Sequence, residues 1–188
     1  MNRSIQLSLL AALLTAGFTS QAQAADSPEA QRAEIRKMCD AALATLVKAK
    51  PKLKTVIAKS PGYGCFSSFG VTLLVGGAGG RGLVHNNATG KTTFMNMGQA
   101  SAGLEVGIKD YREVLVFHDA KTLNSFVENG WELTATGGGA AAVEKKGGSA
   151  EGGASLGGKI SIFPMTETGL SAGGSLGGRK YWKDKELN

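Results

Sequence analysis

Glycine divides this chain into two unlike parts. Residues 25–61 contain none, whereas residues 62–188 contain 27. Glycine costs backbone entropy inside regular structure and is tolerated where chains approach closely or turn sharply. The first part is therefore free to be helical, and the second reads as a sheet whose strands lack side chains at many positions.

The glycine-free part has helical punctuation. Ser27 can cap, Pro28 suits a first helical position, and Ile35, Met38, Cys39, Ala42, Leu43, Leu46 and Val47 recur at spacings of three and four. Pro51 interrupts. A shorter stripe of Leu53, Val56 and Ile57 follows, flanked by Lys50, Lys52, Lys54 and Lys59 and closed by Pro61. Beyond Gly62 the period becomes two. Strands are predicted at 70–77, 80–86, 92–99, 101–109, 112–117, 131–137, 157–164 and 169–178, with a hairpin turn at 86–91. One helix interrupts them, capped by Asp119, carrying Leu123, Phe126 and Val127, and stopped by Gly130. The expected class is α+β: amphipathic helices on a glycine-rich, mostly antiparallel, strongly twisted or barrel-like sheet. Alternate tiny residues in 169–178, and the repeat of GASLGGK (153–159) as GGSLGGR (173–179), give two strands a bare face, which suits tight coiling or closure.

Residues 1–24 have the layout of a secretory signal peptide: Arg3, an apolar run from Ile5 to Leu14, and the small-residue end Ala22-Gln23-Ala24. That run is too short to span a bilayer as a helix. Phe18 stands where a lipidated cysteine would follow Leu14–Gly17, so no lipid anchor is expected. The remainder, residues 25–188, is read as one domain of an exported protein, periplasmic or secreted and peripheral to the membrane. In that compartment Cys39 and Cys65 are read as one disulfide joining helix to sheet, the alternative being two buried thiols.

Three chemical motifs fail on context. G-x-S-x-G occurs around Ser155, Ser171 and Ser175, but both histidines, His85 and His118, precede them and no helical period follows Ser175, so a nucleophile elbow is not supported. GAGGRG at 77–82 is followed by a strand rather than a helix, which leaves a pyrophosphate without a helix N-terminus, so the segment is read as a glycine hairpin. Two histidines and two cysteines lack metal-ligand spacing. No catalytic residue, metal or cofactor is assigned.

Charge supplies the positive reading. Residues 25–61 hold eight basic residues and four acids, and the stretch from Lys48 to Lys59 carries five lysines with no acid among them. A lysine-rich amphipathic segment suits an anionic membrane surface, with each lysine near the surface contributing about 1 kcal/mol. Lys48, Lys50, Lys52, Lys54 and Lys59 are the principal candidates, and Arg81, Lys159 and Arg179 on the glycine-rich sheet are secondary ones. Leu53, Val56 and Ile57 either insert shallowly beside the lysines or pack on the sheet.

The stretches IAKSPGYGCFSSFG, GGAGGRGLV, GQASAGLEVGIKDYREVLVF and IFPMTETGLSAGGSLGG together resemble the SYLF domain family, over residues 27–179. The chain departs from the family at Phe66-Ser67, where Phe-Pro is common, and at Glu105, where Gln is common. The resemblance implies a non-catalytic module binding phosphoinositides or other acidic phospholipids, and sometimes actin. For an exported bacterial protein the expected partners are phosphatidylglycerol, cardiolipin or lipopolysaccharide phosphates, with no role for actin or nucleic acid. A structural envelope protein acting through protein–protein contacts is the alternative. A small outer-membrane barrel is disfavoured by the scarcity of aromatics and by the charged end KDKELN.

Overall fold

The structure, a computed structural model, describes residues 27–73, 77–100, 110–133, 143–144, 154–156, 158–166, 169–170 and 179–188. Helix α1 (Pro28–Ala49) begins where Ser27 Oγ accepts the Ala30 amide at 3.2 Å, with proline in its first turn. A three-residue break centred on Pro51 leads to α2 (Leu53–Lys59). Strands β1 (Gly62–Leu73), β2 (Gly77–Asn86), β3 (Thr92–Ala100) and β4 (Asp110–Phe117) follow. Helix α3 (Ala120–Asn129) is capped by Asp119, whose carboxylate accepts the Thr122 amide at 2.7 Å, and ends at Gly130, whose φ of 72° is left-handed. Then come β5 (Trp131–Leu133), β6 (Val143–Glu144), β7 (Ala154–Leu156), β8 (Ile160–Thr166), β9 (Gly169–Leu170) and β10 (Arg179–Lys183).

All described pairings are antiparallel. The strand order is β5-β10-β3-β2-β1-β4-β8-β7-β6, with β9 on β8, and the sheet curls into a half-barrel. The expected α+β class is therefore what the chain adopts, with the N-terminal helix laid on the sheet.

Alternation along the strands builds two cores. Ile35, Met38, Ala42 and Leu46 of α1 and Leu53 and Ile57 of α2 pack on the outer face against Leu83, Phe94, Val114, Val116 and Phe163. The inner face turns Phe66, Val84, Met95, Met97, Leu115, Phe117, Ile160 and Ile162 into the curl, and α3 closes it with Leu123 and Phe126. The second half of β4, Val114–Phe117, reads as continuously apolar because both of its faces are buried.

Glycine sets how tightly the sheet curls. A methyl on Gly82 would collide with the Cys65 carbonyl oxygen and the Phe66 ring, so bulk is excluded where β2 crosses β1. On the other surface the Trp182 ring lies across the β3 backbone at Gly98, where a methyl would stand 3.2 Å from it, and it stays 42% exposed.

Several expectations need correction. Strand β1 starts at Gly62 rather than Gly70, because Gly62 and Gly64 interrupt the apolar alternation while permitting close pairing with β2. The RKYWK segment, outside every predicted strand, is β10: its inward position 179 carries a charge, which hides the period. The GAGGRG segment is the first part of strand β2, not a hairpin turn. The signal peptide, the strand predicted at 101–109, and Ser171 and Ser175 lie outside the described residues.

Candidate functional site

The basic corner is built by the turn between α1 and α2. Lys50 ends α1, its amide donating to the Leu46 carbonyl at 2.9 Å, and Pro51 and Lys52 redirect the chain. Leu53 and Ile57 are 1% and 8% exposed and belong to the outer core, and Val56 packs beside them. The shallow insertion considered for these side chains is thus overturned: burying them against the sheet satisfies their apolar surface within the chain. Their burial turns the lysines outward. Lys48, Lys52, Lys54 and Lys59 are exposed and Lys50 is half-buried. The Asn87 side chain donates to the Ile57 and Ser60 carbonyls at 2.8 and 2.9 Å, tying the end of α2 to the β2–β3 turn.

The secondary candidates separate. Gly62 pairs with Phe117 and Phe117 with Ile160, so β1, β4 and β8 meet at one end of the sheet, and exposed Lys159 reaches the end that Lys59 also occupies. Arg81 points to α1 instead, where its guanidinium donates to the Gln31 side chain. Arg179 is the clear correction. It is 1% exposed, inside the curl, with Nη1 2.5 Å from Glu113 Oε2. No surface can reach it there.

Glu113 is the centre of this buried cluster. It is fully buried and accepts from the Tyr181 hydroxyl at 2.5 Å and the Tyr111 hydroxyl at 3.0 Å, while the Arg179 guanidinium lies 4.7 Å over the Tyr111 ring. Burial opposes the charge on Arg179, but Glu113 and the two tyrosines outweigh it and raise its pKa. Sequence reading missed Glu113, although a carboxylate directly before the apolar run of β4, on the same face as Tyr111, was the available signal.

All three tyrosines are held protonated. Burial, then Asp40, raises Tyr63; burial, then Glu113, raises Tyr111 and Tyr181. A pKa raised on folding gives a stability contribution complete below the ordinary value of 10.0 and lost as pH climbs toward the folded values. Tyrosinate absorbance of the folded protein at pH 10 is expected well below half of that of the denatured chain, rising with unfolding at higher pH. Half-ionised tyrosines at pH 10 in a folded sample would contradict this.

Cys39 and Cys65 form a disulfide, Cα to Cα 5.2 Å, which pins the middle of α1 to β1. Ser155 sits within β7, opposite Ser161, rather than on a strand-to-helix turn. Among the described residues no cluster of histidine, cysteine or carboxylates could hold a metal, and no helix is long and apolar enough to cross a membrane.

No family model matches the chain. It is 36% identical over 156 residues to a protein of Aeromonas veronii named Beta cell expansion factor A. That match takes in 83% of this chain but 58% of the relative, so the chain spans little more than half of that protein's length.

Proposed function

We propose that this chain is an exported, non-catalytic module of the SYLF kind that docks on anionic membrane surfaces through Lys48, Lys50, Lys52, Lys54 and Lys59, with Lys159 alongside. One observation carries the reading: the apolar side of α2 is consumed by the core, and the lysines that remain face solvent without an acid among them in sequence. Lys52 and Lys54 stand at the amino end of α2, where a helix dipole disfavours cations. Placing them against that local preference is the kind of conflict that functional sites carry. The disulfide supports export, because such bonds persist in oxidising compartments.

With Leu53 and Ile57 buried, attraction is electrostatic alone. At about 1 kcal/mol per lysine near an acidic leaflet, five give reversible docking. Head groups must come within a Debye length of about 8 Å, so retention falls steeply with added salt and leaves no salt-resistant remainder. Changing the five lysines to glutamine is expected to weaken co-sedimentation with phosphatidylglycerol or cardiolipin vesicles by at least about tenfold, and phosphatidylcholine vesicles should retain neither form. Unchanged retention of a folded variant overturns the reading and favours a protein partner.

A further inference from the structure

A second basic feature lies at the opposite end of α1. Arg32 and Arg36 from its N-terminal half, Lys91 from the turn just before β3 and Lys183 from the end of β10 line one groove of about 580 Å³. Arg36 is 12 residues before Lys48, about 18 Å along the helix, so the groove is separate from the lysine corner. Leu187 and Asn188 form part of its wall. The Asp184 amide donates to the Phe94 carbonyl at 3.1 Å, and the Asn188 side chain accepts the Phe94 amide at 3.0 Å and donates to the same carbonyl at 2.8 Å. Leu187 is buried, and its carbonyl accepts from Arg32 Nε at 2.8 Å. Arg32 is thereby positioned, with its Nη1 3.1 Å from Glu29. Arg36 is placed too, its guanidinium 5.2 Å over the Phe94 ring.

We infer that this groove binds a phosphate monoester carried on a small polar body. Glu29 is the acidic side chain in the lining, so cations remain in excess even when a terminal carboxylate on Asn188 is counted. They arrive from α1, the β2–β3 turn and β10, which suits a tetrahedral anion better than a flat carboxylate. The volume exceeds what a bare phosphate fills, and Thr92 and Thr93 add hydroxyls for an attached glycerol or sugar. Such a phosphate is presented by a soluble ester or by a lipid head group.

The site does not depend on the lysine corner, so the two readings fail separately. Glycerol phosphate titrated into the full chain is expected to shift the amide resonances of Lys91, Thr92 and Lys183, with glycerol as the inactive control. Changing Lys91 and Lys183, both exposed, to glutamine is expected to weaken binding about tenfold or more. Arg36→Gln is a second variant with the same expected loss, and the five-lysine variant keeps the shifts. Retention on phosphatidate vesicles that falls in K91Q/K183Q assigns the phosphate to a membrane; glycerol phosphate binding without that fall assigns it to a soluble ester. Absence of shifts, or equal affinity in K91Q/K183Q, overturns the proposal.

Discussion

Glu113→Gln is expected to destabilise the fold by about 3–5 kcal/mol, enough to threaten a domain whose total is typically about 5–15 kcal/mol. The Arg179 guanidinium would keep its charge inside the curl, 1% exposed, after losing the carboxylate 2.5 Å away. Two tyrosine hydroxyls would also lose a charged acceptor for a neutral one. The reverse comparison tests the cause. A Glu113→Leu/Arg179→Met double variant removes both charges and should recover much of the loss, because replacing a buried pair by apolar side chains is often neutral. Urea unfolding curves check both. A Gln variant within about 1 kcal/mol of the parent would show that the pair is not what fixes this part of the curl.

Removing the disulfide has the next largest expected effect. Cys39 and Cys65 are 26 residues apart, and releasing a loop of that size costs about 3 kcal/mol in the chain-entropy view. Cys39→Ala with Cys65→Ala should lower the unfolding free energy read from urea curves by about that amount, with a small further loss from the space left between α1 and β1. Reductant should then shift the parent toward the variant while leaving the variant unmoved. Equal stability of parent and variant under oxidising conditions would remove the bond from the account of how α1 is held.

Local signals were legible in the sequence and tertiary ones were not. Ser27 and Asp119 cap the helices they were expected to cap, Gly130 ends α3, and the turn at 86–91 joins β2 to β3. Each rests on a few adjacent residues. The direction of Leu53 and Ile57 depended on where the sheet lay, which no local spacing states. Arg179 looked like its repeat partner Lys159, yet one is buried and the other exposed, because inward register places position 179 beside Glu113 across a separation of 66 residues. The second groove was hidden for the same reason: Arg32 and Leu187, 155 residues apart, meet only once α1 crosses the sheet.

Trp182 and Trp131 are the chain's two indoles, and they occupy opposite settings. Trp131 is half-buried with its ring 6.2 Å from Phe126, whereas Trp182 lies open across β3 between exposed Lys180 and Lys183. Intrinsic emission therefore has two sources, a shielded one that follows the seal of α3 on the curl and an open one that iodide, drawn by those lysines, quenches first. Without any label, the protein can signal whether a ligand has covered the β10 face or has loosened its interior.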